Sequence, residues 1–196
     1  MKKIFLLTVL FTALFCTTSY AQTTPTISNA CFGTTKTYSV NLPTGPAGST
    51  YAWTVSGTGY AGTITGNTTN VITIDWGATP SGNYTLKVQE ANPSFVCSPN
   101  PQEMIVTILA LPVLNSLASV CVSSTTQATF ITTPAPTGGT WSSSNTAVAT
   151  VDANGLVTGV SAGTADITYT NTAGCTSLAQ TITVVSIPTT SPITSN

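Results

Sequence analysis

The chain has 196 residues, of which only 5% are charged, and it contains no histidine and no arginine. Such a composition offers little material for acid–base or nucleophilic catalysis, and it offers no basic patch for nucleic acid. Threonine is the dominant residue, at 42 positions, and it favours strands. The length allows about one or two domains, and the composition argues against an enzyme.

Residues 1–21 have the pattern of a secretory signal peptide. Two lysines precede the apolar run 4–15, and the small residue Ala21 predicts cleavage before Gln22. The run is too short to cross a bilayer of about 30 Å comfortably. Cys16 raises the alternative of a lipoprotein, but the residue before it is larger than lipid modification favours. We expect a secreted protein, extracellular or at the cell surface, with no membrane span in the mature chain.

The mature chain begins with a polar stretch, residues 22–30, which we expect to be frayed. Residues 31–109 then show alternating apolar residues in five or six segments with Pro- or Gly-rich turns between them, for example 51–55 and 84–88. Alternation at period two sends one set of side chains inward and the other outward. This pattern predicts a β-sandwich.

The segments YAWTV (51–55), ITIDW (72–76) and GNYTLKV (82–88) resemble the PKD-like Ig domains of long secreted proteins of the Bacteroidetes. The sequence departs from true PKD domains after Trp53, where residues 54–57 replace an acidic, glycine-rich turn. The resemblance implies an Ig-like fold, but no role that depends on that turn.

A second domain is predicted over 117–186, after a short, stiff joint around Pro112. Residues 138–170 read as four short strands separated by turns. The pattern WSSSN, VATVD, NGLVTGV and AGTA within them is similar to the bacterial Ig-like domain, group 2. That family is common in adhesins and surface proteins, usually as repeats, and it has no shared catalytic residues. Residues 187–196 are expected to be a tail or linker.

The mature chain contains four cysteines: Cys31, Cys97, Cys121 and Cys175. Four cysteines allow three sets of pairings. Cys31–Cys97 and Cys121–Cys175 are favoured, because each domain then folds on its own, with about 4 kcal/mol of stabilisation from each link. A zinc site or a redox pair is set aside, because the chain has no CxxC spacing and no histidine.

Four aromatic residues are predicted to anchor the two cores: Trp53, Tyr84, Trp141 and Tyr169. Trp76 is harder to place, because it lies at a strand end beside Gly77. The three tryptophans would serve as a sugar-stacking platform if a pair of them were exposed on one sheet. Buried aromatics would instead favour a purely structural role.

Three acids, Asp75, Asp152 and Asp166, are isolated in sequence and lack the spacing of a calcium loop. Asp152 opens the segment 152–155, which predicts a hairpin turn. No catalytic residue, metal ligand or cofactor is therefore expected.

The sequence supports two functional hypotheses. The first is a non-enzymatic tandem of Ig-like modules that acts as an adhesive or spacer unit. The alternative is a carbohydrate-binding accessory module. Extracellular glycans or surface proteins are the expected partners.

Overall fold

The computed structural model describes residues 26–40, 48–92, 101–131 and 135–188. The predicted signal peptide and Cys97 lie outside this part of the chain. All the regular elements within it are β-strands, and they form two consecutive sandwiches. The predicted all-β fold of two Ig-like sandwiches is confirmed.

The first sandwich consists of seven strands: β1 (Thr26–Cys31), β2 (Thr35–Ser39), β3 (Thr50–Ser56), β4 (Thr63–Thr65), β5 (Val71–Asp75), β6 (Gly82–Ala91) and β7 (Gln102–Leu109). One sheet has the order β1-β7-β6-β3 and the other β2-β5-β4. The pair β1 and β7 is parallel, whereas the other neighbours are antiparallel.

The second sandwich repeats this plan with β8 (Val120–Cys121), β9 (Thr125–Gln127), β10 (Thr140–Ser143), β11 (Ala149–Val151), β12 (Leu156–Gly159), β13 (Gly163–Thr170) and β14 (Gln180–Val185). Its sheets have the orders β8-β14-β13-β10 and β9-β12-β11, again with the first and last strands parallel. The two halves therefore share one topology, as their common order of Cys, Trp and Cys predicts.

The two sandwiches also agree in register. Trp53 lies opposite Val88 in the first, and Trp141 lies opposite Tyr169 in the second. Val88 and Tyr169 each stand six residues after the glycine that begins the sixth strand. Equivalent positions in the two sandwiches can therefore be matched residue by residue along these strands.

The prediction that residues 22–30 are frayed is wrong from Thr26 onward. Residues Thr26–Cys31 form β1, with Thr26 opposite Met104 and Cys31 opposite Leu109. A polar edge strand needs no hydrophobic pattern, because its ladder with β7 satisfies the backbone groups and only Ala30 is buried. Composition alone does not reveal such a strand.

Trp76 lies at the centre of the first core. Its side chain is fully buried, and its ring stands 5.8 to 6.3 Å from the rings of Tyr38, Tyr60 and Tyr84. The indole N–H donates to the Tyr38 hydroxyl at 3.2 Å, and the backbone N–H donates to the carbonyl of Thr34 at 3.0 Å. This last bond continues the β2–β5 ladder past the end of β5, so Trp76 keeps the inward phase of that strand.

The second core has a smaller aromatic cluster at one end. The rings of Phe130, Trp141 and Tyr169 lie 4.8 to 5.3 Å apart. Tyr169 is buried, whereas Phe130 and Trp141 are half-buried. Aliphatic residues such as Ile167 and Ile182 fill the rest of the core.

Replacing Trp76 by alanine is expected to destabilise the first sandwich by about 3–5 kcal/mol, the usual cost of truncating a core aromatic. Val71→Ala is the matched control, because Val71 belongs to the same strand but is 44% exposed; it should cost less than about 1 kcal/mol. Calorimetry should show the first sandwich's transition lowered by the Trp76 substitution and the second's nearly unchanged. Equal effects of the two substitutions would contradict this account of the core.

Candidate functional site

The two sandwiches are covalently joined at their junction by a disulfide between Cys31 and Cys175. Their Cα atoms are 5.5 Å apart, a usual separation for a disulfide. The chain itself also crosses the junction, through residues 110–119. The two sandwiches are therefore connected twice, once by the chain and once by the disulfide, and both connections restrict how they can move relative to each other.

Cys31 owes its position to the parallel pairing of β1 with β7. It lies opposite Leu109, the last residue of β7, and so beside the point where the chain leaves the first sandwich. A tight turn follows, in which the Thr34 N–H donates to the Cys31 carbonyl at 3.1 Å. Gly33 takes a φ of 74° in this turn, in the left-handed region that suits glycine.

Cys175 is presented by the connection between β13 and β14. The Asn171 side-chain oxygen accepts hydrogen bonds from the N–H groups of Ala173 and Cys175, at 3.0 and 2.9 Å. The Asn171 N–H donates to the Cys175 carbonyl, and Gly174 turns the chain with a φ of 83°. These local bonds hold Cys175, which is fully buried, toward the first sandwich.

The predicted pairings of Cys31 with Cys97 and of Cys121 with Cys175 are wrong. Cys121 lies opposite Val185, the last residue of β14, whereas Cys175 precedes the first residue of that strand. The five residue steps of β14 alone span about 17 Å, and a disulfide requires Cα atoms within about 7 Å.

The first and last strands of the first sandwich are also parallel, so the same argument applies there. The segment that contains Cys97 joins β7 at Gln102, about 23 Å from the Leu109 end where Cys31 lies. Cys97 lies outside the described residues. Among the described cysteines, Cys121 has a free and exposed thiol.

An apolar cleft of about 480 Å³ lies along the junction. Phe32 and Pro80 line it from the first sandwich, Leu111 and Pro112 from the connecting segment, and Leu178 from the second sandwich. No charged side chain is among its lining residues. The cleft has the chemistry of a packing surface between modules and lacks convergent polar groups that would orient a small polar ligand.

The three tryptophans do not form an exposed pair on one sheet. Trp53 is buried and its indole N–H donates to the Thr69 carbonyl at 2.8 Å, and Trp76 is fully enclosed. Trp141 alone is half-buried. It lines an open cleft of about 440 Å³ at one end of the second sandwich, together with Phe130 and Asn154.

The remaining predicted core anchors, Tyr84 and Tyr169, are each 3% exposed. The Tyr84 hydroxyl donates to the carbonyl of Pro80 at 2.9 Å, four residues upstream. This bond resembles the tyrosine corner that fixes the start of the sixth strand in Ig-like folds.

The three aspartates are separate and serve local structure. Asp152 accepts hydrogen bonds from the N–H groups of Asn154 and Leu156, both at 2.8 Å, which confirms the predicted turn. Asp166 accepts from the Thr181 hydroxyl at 2.6 Å. Within the described ranges no three Cys, Asp or Glu side chains are grouped as metal ligands, and no helix there has the length and apolar character to cross a membrane.

Comparison with known families finds a match over the second sandwich. Residues 113–184 match the family described as "Bacterial Ig-like domain (group 2)". The second sandwich is therefore similar to the bacterial Ig-like domains of group 2. The match begins at Val113, directly after Pro112, so it includes most of the segment that connects the two sandwiches. The search of curated proteins gave no match.

Several solved structures are similar to this chain. A C-terminal fragment of intimin, solved with the intimin-binding domain of its translocated receptor, is 17% identical with a TM-score of 0.44; the alignment covers 76% of this chain and 56% of the fragment. Invasin, an integrin-binding bacterial protein, is 13% identical with a TM-score of 0.44, over 76% of this chain and 34% of invasin.

A third similar structure is SGBP-B of Bacteroides ovatus, solved with a mixed-linkage heptasaccharide. It is 16% identical with a TM-score of 0.31, over 82% of this chain and 42% of that protein. The chain spans about half of the intimin fragment and about a third of invasin. At these identities the likeness concerns the fold alone.

Peptide mapping without reduction is expected to recover Cys31 linked to Cys175 of the same chain, with Cys121 absent from that link. Chymotrypsin is the suitable protease, because the chain has only four lysines and no arginine. A Cys121–Cys175 peptide from a single chain would contradict the parallel pairing of β8 with β14.

Proposed function

We propose that the chain is a non-enzymatic, secreted or cell-surface protein whose Ig-like modules form a stiff spacer for adhesion or display. The first sandwich is assigned to the PKD-like type that its sequence resembles, and residues 1–21 to a cleaved signal peptide. Few charged residues and the absence of histidine support the non-enzymatic assignment. A disulfide-linked junction suits an oxidising, extracellular setting.

The doubly tethered junction is the observation that carries this proposal. A single connecting segment leaves two domains free to bend and twist relative to each other. Here the second tether, Cys31–Cys175, starts on the strand beside the one that ends at Leu109. Two neighbouring connections remove most of the relative orientations of the sandwiches that a single connection would allow. They also keep the apolar side chains of the two sandwiches close together, at a high effective concentration. Such a joint keeps its direction under load, as a spacer requires.

Removing the disulfide is expected to loosen the junction without unfolding either sandwich. Cys31→Ser combined with Cys175→Ser should broaden the distribution of distances between labels on the two sandwiches, measured by single-molecule fluorescence or small-angle scattering. Cys121→Ser is the matched control, because it removes an exposed thiol that makes no described bond. An unchanged distribution in the double variant would contradict the stiff-spacer proposal.

A carbohydrate-binding function is the second candidate, because the cleft beside Trp141 is open and aromatic. Half-exposed aromatic rings stack on the apolar faces of sugar rings. Its weakness is the contact of Trp141 with Phe130 and Tyr169, which already gives the indole a packing role.

The two candidates make different predictions for Trp141→Ala. As a packing residue, the half-buried Trp141 should cost the second sandwich about 2–3 kcal/mol when truncated. Binding to a panel of polysaccharides should be absent in both the parent chain and the variant. If the parent binds a polysaccharide, and the variant keeps its unfolding temperature but loses that binding, the carbohydrate function replaces the spacer. Trp53→Phe, which alters a buried indole, controls for indirect effects on the fold.

A further inference from the structure

The end of the second sandwich that lies away from the junction has the same arrangement as the end of the first sandwich that lies at the junction. Cys121 ends β8 opposite Val185, the last residue of β14. Cys31 ends β1 opposite Leu109, the last residue of β7. Each cysteine therefore lies beside the point where the chain leaves its sandwich, but only Cys31 has a described partner.

The backbone around the two cysteines is also the same. The Ser124 N–H donates to the Cys121 carbonyl at 3.0 Å, as the Thr34 N–H does to the Cys31 carbonyl at 3.1 Å. The residue before the donor has positive φ in both turns, 74° for Gly33 and 65° for Ser123. Ser123 is the one described non-glycine residue in this region of φ, so the second sandwich keeps the turn even without the residue type that adopts it most easily.

A second, independent observation concerns the segment that leaves each sandwich. Leu111 and Pro112 stand two and three residues after Leu109, and Ile187 and Pro188 stand two and three residues after Val185. At the junction Pro112 is buried and Leu111 is half-buried in the apolar cleft. Ile187 is instead 61% exposed. The apolar half of a junction is thus present beside Cys121, with nothing in the described structure covering it.

We propose that Cys121 forms a disulfide with a following Ig-like module, using the cysteine between the last two strands of that module. Its bonded counterpart at the junction, Cys175, occupies that place in the second sandwich. Ile187, Pro188 and the exposed Val185 would take the covering role that Leu111 and Pro112 have at the described junction. Each sandwich would then be joined to the next by one disulfide, in the same way along the chain. The inference rests on the geometry of the junction and holds whatever the array binds.

The bond forms by thiol–disulfide exchange with a disulfide-bearing oxidoreductase of the exported compartment. The Cys121 thiolate attacks that disulfide and releases one thiolate of the oxidoreductase. The thiolate of the following module then attacks the Cys121 sulfur and displaces the second. Two thiols become one disulfide, and the oxidoreductase leaves as a dithiol that carries the two electrons and two protons.

The first experiment uses the protein as its own cells export it. Thiols are blocked with iodoacetamide at harvest, and chymotryptic peptides are analysed without reduction. We expect Cys121 to be linked to a cysteine that precedes the last strand of an Ig-like sequence. A link to Cys97 of a second copy would also support the proposal, because Cys97 lies between β6 and β7. Alkylated Cys121, a small-thiol adduct, or a link to a protein without Ig-like pattern would overturn it.

The second experiment supplies the following module directly. A second copy of residues 110–196 is attached after Val185, which reproduces the spacing that separates the two sandwiches here. Ala173→Ser in the added copy marks its Cys175 peptide, because Ala173 is exposed and next to that cysteine's loop. The marked Cys175 should be linked to the original Cys121, and Cys121→Ser in the original sandwich should leave it alkylated. A marked Cys175 that stays free while Cys31–Cys175 forms would overturn the proposal.

Discussion

The parallel pairing of the first strand with the last decides how the cysteines of this protein are used. In each sandwich it places the cysteine that ends the first strand at the exit of the chain, and the connection between the last two strands at the entrance. A cysteine at the exit of one sandwich and a cysteine at the entrance of the next are then neighbours. Cys31 and Cys175 meet for this reason, although 144 residues separate them in sequence. With an antiparallel pairing, the same four residues would favour links within each sandwich.

The sequence was sufficient for the fold class and for the repeated plan, because both depend on local signals. Period-two alternation and turn residues mark strands wherever they occur, and the order of Cys, Trp and Cys marks the repeat. The direction of β1 relative to β7 depends on a contact between residues some 80 positions apart, and neither strand carries a local signal for it. The disulfide pairing follows from that relative direction, and the predicted pairing of cysteines within each domain is therefore wrong. The strand β1 was missed for a related reason, since an edge strand with only Ala30 buried has no hydrophobic pattern to detect.

The aromatic residues show how well the alternation of side chains along a strand predicts their burial. Ile72, Ile74 and Trp76 keep one inward phase, so the phase alone would have placed Trp76 in the core. Its position at a strand end suggested otherwise, but the bond from its N–H to Thr34 extends the ladder by one residue. Trp141 occupies the same register position as Trp53 and is nevertheless half-buried, because it lies against Phe130 at an open end of the second sandwich. Register determines which way a side chain points, and the neighbouring loops determine how completely it is covered.

A disulfide between the two sandwiches suits a protein with so few charged residues. With 5% charged residues, the chain has little material for ion pairs between modules, and the ion pair between Lys87 and Glu103 lies exposed within one sheet. Exposed pairs of this kind contribute at most about 1 kcal/mol and weaken with salt. A disulfide needs two well-placed side chains and does not depend on ionic strength. It therefore fixes the junction at any salt concentration, and the same reasoning applies to any further module that meets the exposed end at Cys121.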